Sequence, residues 1–198
     1  MLSLVLKNDH KMKYLHIDNQ LFIKNRNLFF SKLDANCMAI FNSNDIMPTN
    51  ADGTMPFRQN NDLFWLSGVD QEESVLIIYP DNSNEQEKEI LFLKETSELI
   101  AIWEGAKLSK SEALTTSGIK SVYWLSEFDD KLTDLMQKCD GIYLNKNIHS
   151  RAAAEVETRD DRFRNMVTEK FSDKEIKKVA PIMHELRSIK SETEITLI

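Results

Sequence analysis

Short apolar runs alternate with amphipathic stretches along most of this chain. Cys37-Met38-Ala39-Ile40-Phe41 is a continuous apolar run ended by Asn42-Ser43-Asn44-Asp45, the pattern of a buried strand. Ser74 to Tyr79 contains Val75-Leu76-Ile77-Ile78 and stops at Pro80-Asp81-Asn82-Ser83-Asn84, and Glu89 to Lys94 contains Ile90-Leu91-Phe92-Leu93. These two runs predict a hairpin with a long polar loop, and their unbroken apolar character predicts strands covered on both faces. Ser121 to Leu125 and Gly141 to Leu144 predict two further strands.

Between the runs the period changes to that of helices. Asp18 predicts an N-cap for a helix over 19–34, with Phe22, Phe29, Phe30 and Leu33 on its apolar face and Lys24, Asn25 and Asn27 toward water. Asn60 to Leu66 reads as a short helical turn or the start of a strand, closed by Gly68. Ser97 to Trp103 predicts a helix stopped near Gly105, and Ser109 to Thr116 another, ended by Gly118, a residue suited to the left-handed turn after a helix. Ser126 is the predicted cap of a helix to about Lys138, with Phe128, Leu132, Leu135 and Met136 inward. The charge-rich residues 152–170 are strong helix formers, and a segment with Pro181 follows.

This alternation implies an α/β fold with helices on both faces of one sheet. The early hairpin makes the sheet mixed. A long polar stretch with Pro48, Gly53 and Pro56 precedes Asn60, and long irregular segments in compact domains are uncommon and often functional. Ser191 with Glu194 forms a capping box that announces a helix. The chain stops at Ile198, too soon for a helix of ordinary length, so a truncated chain is expected. The resulting organisation is an extension or edge segment at 1–17, one domain over 18–175, and a linker with the start of a further domain over 176–198.

Composition narrows the function classes. The 198 residues are 41% hydrophobic and 29% charged, with a net charge of −7. The basic residues are scattered among acids, which gives no support to nucleic acid as a partner. No apolar run approaches the ~20 residues of a membrane helix, so no membrane partner is expected either. Cys37 and Cys139 each lie in or beside an apolar run and read as buried reduced thiols. The histidines, His10, His16, His149 and His184, form no ligand-spaced pair. His184, beside Met183 and Leu186, reads as a packing or domain-contact residue. The acids Glu155, Glu157, Asp160 and Asp161 are interleaved with Arg151, Arg159, Arg162 and Arg164, which reads as a solvated, salt-paired helix. No nucleophile, phosphate loop or metal motif stands out.

Three segments carry a family resemblance. Phe57-Arg58-Gln59-Asn60-Asn61-Asp62-Leu63-Phe64-Trp65-Leu66-Ser67-Gly68 resembles the signature of the aminopeptidase P amino-terminal domain. Ile102-Trp103-Glu104-Gly105, with Lys107, Leu108 and Ala113, resembles that family's Trp-x-Gly element, and His184 to Ile195 resembles its linker into the catalytic domain. The resemblance implies a creatinase/aminopeptidase-type amino-terminal domain with a ribonuclease H-like motif, belonging to a cytoplasmic, oligomeric Xaa-Pro aminopeptidase. It implies two manganese ions in the catalytic domain that follows and none in this chain, which by itself is expected to be inactive. Short proline-containing peptides, the chain's own catalytic domain and further copies of the chain are the implied partners.

Within this resemblance Arg58 and Asp62 stand out. They either face the mouth of the active site or form a buried ion pair that fixes the loop. A signature rich in aromatics favours the structural role. Trp103 either narrows the substrate entrance of a neighbouring subunit or is a core or interface tryptophan. Two rival readings remain open: a prolidase or creatinase relative, and a peptide- or protein-binding module whose catalytic domain is inactive or absent.

Overall fold

The strand order in the computed structural model of the chain is β4-β3-β2-β1-β5-β6. The structure describes residues 17–149, 151 and 155–198, leaving out the side chains of Glu98 and Trp103. Of the expected segment at 1–17, all but Ile17 lies outside the described residues, as do His10 and His16. The strands are β1 (Cys37–Asn42), β2 (Val75–Ile78), β3 (Glu89–Leu93), β4 (Ser121–Trp124), β5 (Gly141–Leu144) and β6 (Glu175–Lys178). β2 runs antiparallel to both β1 and β3. The pairs β3–β4, β1–β5 and β5–β6 are parallel. The sheet is therefore mixed, with the predicted β2–β3 hairpin lying between β1 and β4.

The helices are α1 (Asn19–Phe30), α2 (Asn61–Ser67), α3 (Glu98–Glu104), α4 (Lys110–Ser117), α5 (Phe128–Lys138), α6 (Arg159–Lys170), α7 (Ala180–Ser188) and α8 (Glu192–Leu197). They cover both faces. Along β1 the side chains alternate, as the period of a strand requires. Ala39 and Phe41 pack with Phe29, Leu63, Leu66, Ala113 and Met183, from α1, α2, α4 and α7. Met38 and Ile40 pack with Phe128, Leu132, Leu135, Met136 and Val167, from α5 and α6. Every residue of β1, β2 and β5 is buried, which is what their uninterrupted apolar runs require.

Several helix starts are those of the sequence. Asp18, Ser97, Ser109 and Ser191 each accept a hydrogen bond from the backbone of the first turn. Ser126 does not cap α5. It lies within a short 3-10 turn, Leu125–Glu127, that leads into the helix, whose start has no side-chain cap.

The remaining differences concern polar residues. Asn25 does not face water: it is 2% exposed, because its Nδ2 donates to the Trp65 carbonyl at 2.9 Å. The segment from 176, expected as a linker, supplies part of β6 and all of α7, whose Ala180 and Met183 are buried in the domain. β6 is Glu-Ile-Lys-Lys, a charged edge strand without the apolar run that marks the central strands. Cys37 and Cys139 are buried free thiols, and burial raises both, Cys139 to about 11.

The left-handed turn after α2 is tightly enclosed. Gly68 has φ 70°, and a Cβ there would lie 2.3 Å from Cε2 of Phe22, which is 3% exposed. Gly68→Ala combines backbone strain with a clash against the buried Phe22 ring. It is expected to lower Tm by about 5 °C or more. An unchanged melting curve would show that α1 yields at this point.

Candidate functional site

The signature segment is built from inward and outward residues in turn. Gln59 is 9% exposed. Its Nε2 donates to the carbonyls of Val69 at 3.1 Å and Gln71 at 2.8 Å, and its Oε1 accepts from the Asn60 amide at 2.7 Å. Asn60 caps α2, its Oδ1 accepting from the amides of Asp62 and Leu63. Leu63 and Leu66 are fully buried. Ser67 Oγ donates to the Leu63 carbonyl at 2.7 Å and accepts from the Val69 amide at 3.1 Å. These residues hold α2 against the sheet.

Asp62 and Arg58 are not a pair. Arg58 is exposed, and its backbone carbonyl accepts from Asn44 Nδ2 at 2.9 Å. Asp62 is paired instead with Arg187 of α7, at 2.5 Å, and also accepts from Asn145 Nδ2 at 3.2 Å. The partner lies 125 residues away, so no local pattern could have indicated it. The Trp103 side chain, expected at a substrate entrance, core or interface, lies outside the described residues.

Arg58 and Asp62 do share a groove of about 690 Å³. It opens beyond the carboxyl ends of β1 and β5, where ligand crevices of open α/β sheets form. Ser43, Asn60, Asn145, Asp160, His184 and Arg187 also line it. His184 is exposed there.

Asp160 was expected on a solvated helix face, and here the structure differs. The carboxylate is turned inward from α6: Oδ1 accepts from Asn42 Nδ2 at 3.1 Å and Oδ2 from Asn60 Nδ2 at 3.4 Å. Its carboxyl is pushed up to about 6, chiefly by burial. The hydrogen bond from Asn42 works the other way, and the charge of Asp62 adds to the rise. The neighbouring acid, Asp161, behaves as an ordinary surface residue and closes a capping box with Thr158.

Among the described residues, no group of three or more His, Cys, Asp or Glu side chains is placed to hold a metal ion. The carboxylates that line the groove are engaged, Asp62 by Arg187 and Asn145, Asp160 by Asn42 and Asn60, Asp45 by Arg162 and Glu157 by Asn165. The groove offers charged and amide groups that could bind or orient a partner. No helix among the described residues is long and apolar enough to cross a membrane.

The architecture defines a mixed-sheet α/β domain whose sequence signature lies along one rim of a polar groove. The model of the aminopeptidase P N-terminal domain matches residues 22–143, and the chain belongs to that family. It is 27% identical over 177 residues to an Xaa-Pro aminopeptidase of Haemophilus influenzae, covering 89% of this chain and 38% of that protein. With the Xaa-Pro aminopeptidase of Escherichia coli it shares 23% identity, covering 92% of this chain and 41% of that one. The chain thus spans about two fifths of the length of these relatives. The fold agrees with that of E. coli aminopeptidase P, with a TM-score of 0.74 at 23% identity over 92% of this chain and 41% of that one.

A carboxyl whose pKa is raised in the folded state stabilises the fold while protonated. That contribution is complete below the ordinary carboxyl value and is lost as pH rises through about 6. Asp160→Asn cannot ionise. It is expected to be more stable than the native chain at about pH 8, by on the order of 2 kcal/mol, and to lose that advantage near pH 4. Thermal melts across this range check it, and a difference independent of pH would contradict it.

Proposed function

We propose that this chain is the non-catalytic amino-terminal domain of a cytoplasmic, oligomeric Xaa-Pro aminopeptidase, an enzyme that removes an N-terminal residue preceding proline. The observation that carries this reading is the family match over 22–143 together with relatives named for that activity. The signature residues hold and orient α2. The two manganese ions and the peptide chemistry then belong to a catalytic domain of the kind the longer relatives have room for. In this arrangement the domain shapes the entrance to that site. Arg58, exposed in the groove, is available to face the substrate or the catalytic domain. Trp103 serves at the substrate entrance or at an interface between subunits.

The direct test is an assay of the full-length protein loaded with manganese, using short peptides with proline in second position. Release of the first residue is expected, with a lower kcat/KM for Trp103→Ala. No release from any such peptide would overturn the assignment, and an unchanged kcat/KM would remove Trp103 from the substrate entrance. Hydrolysis confined to dipeptides or creatine would favour a prolidase or creatinase relative.

A further inference from the structure

Two side chains on the outward face of α2 receive α7 and α8. Asp62 accepts from Arg187 Nη1 at 2.5 Å, in a site where the Asp62 side chain is only 13% exposed. Three residues on, and therefore on the same helical face, Trp65 Nε1 donates to Glu194 Oε1 at 2.8 Å. The other oxygen of Glu194 accepts from both the amide and the hydroxyl of Ser191 at 2.8 Å. One carboxylate therefore closes the capping box of α8 and docks the helix onto α2.

α8 has little else to hold it. Its residues Glu192–Leu197 include no buried one, and Ile195 is 62% exposed. Beneath it lies a cavity of about 220 Å³, lined in part by Phe22, Phe64, Trp65 and Leu197, so close packing does not fix its position. Polar contacts with α2 must do so.

We propose that the Asp62–Arg187 ion pair and the Trp65–Glu194 hydrogen bond form a two-point latch that sets the position and direction of α8 on the domain. Asp62 and Trp65 are then positioning residues. The latch is a property of this chain and does not depend on the function proposed above. If that function holds, the latch orients the catalytic domain relative to the groove.

Hydrogen exchange at the amides of Ile195 to Ile198, measured on the 198-residue chain, tests the latch. Trp65→Phe keeps an aromatic ring and removes the donor. Exchange in α8 is expected to become about tenfold faster, the effect of losing one hydrogen bond to a charged group, while the amides of α1 stay at native rates. Asp62→Arg should likewise free α8, and adding Arg187→Asp should restore its protection. Native exchange in α8 of Trp65→Phe overturns the proposal. So does equal acceleration of α1 and α8, which would make Trp65 a general stabilising residue. If Trp65→Phe does not fold, the charge-reversal pair decides: restoration in the double variant supports the latch, and its absence overturns it.

Discussion

A guanidinium with no exposure to solvent joins three helices of this domain to the sheet. Arg26 of α1 is 0% exposed. Its Nη1 donates to the carbonyls of Leu66 at 2.8 Å and Ser117 at 2.9 Å, and its Nε lies 2.9 Å from Glu89 Oε1 of β3. Both carbonyls belong to the last turns of helices, α2 and α4, where unpaired carbonyls and the helix dipole favour a cation. Each of these helices ends at a glycine in the left-handed region, Gly68 at φ 70° and Gly118 at φ 75°. Neither site has room for a side chain, since a Cβ would meet Phe22 at Gly68 and Ile23 at Gly118. The two glycines let α1 lie close enough for one cation to serve both helix ends.

This corner determines what the signature segment can do. With Leu63 and Leu66 buried and the end of α2 held by Arg26, the helix cannot rotate. Asp62 and Trp65 are left on the outward face, toward α7 and α8. Asn60 and Asp62 border the groove, and Asp160 of α6 reaches the same place from the opposite side. The features by which the family is recognised therefore serve mainly as a frame. They turn a short helix into a rigid support for α7 and α8.

The central strands were legible because burial on both faces writes an unbroken apolar run, as in Val75 to Ile78. Several helix starts were legible because Asp18, Ser97, Ser109 and Ser191 act locally. What escaped the sequence was polar and long-range. Asn25 was placed toward water, yet the fold brings the Trp65 carbonyl to it, and Arg26, which no local pattern marks, meets the carbonyls of Leu66 and Ser117. Asp62 was matched with its neighbour in sequence, Arg58, although its partner lies on α7. Asp160 was read with the arginines around it, yet it turns toward two asparagines from other parts of the chain. β6 was hidden because an edge strand needs little apolar character. In each case the deciding partner is supplied by the fold.

The central claim is that a single buried cation organises the corner that carries α2. Thermal unfolding of Arg26→Lys tests it most directly, because lysine keeps the charge but lacks the planar fork that reaches two carbonyls and Glu89 together. Losing part of that set is expected to lower Tm by about 5–10 °C. A variant that melts within about 1 °C of the native chain would show that the charge alone suffices and that the corner does not depend on the guanidinium.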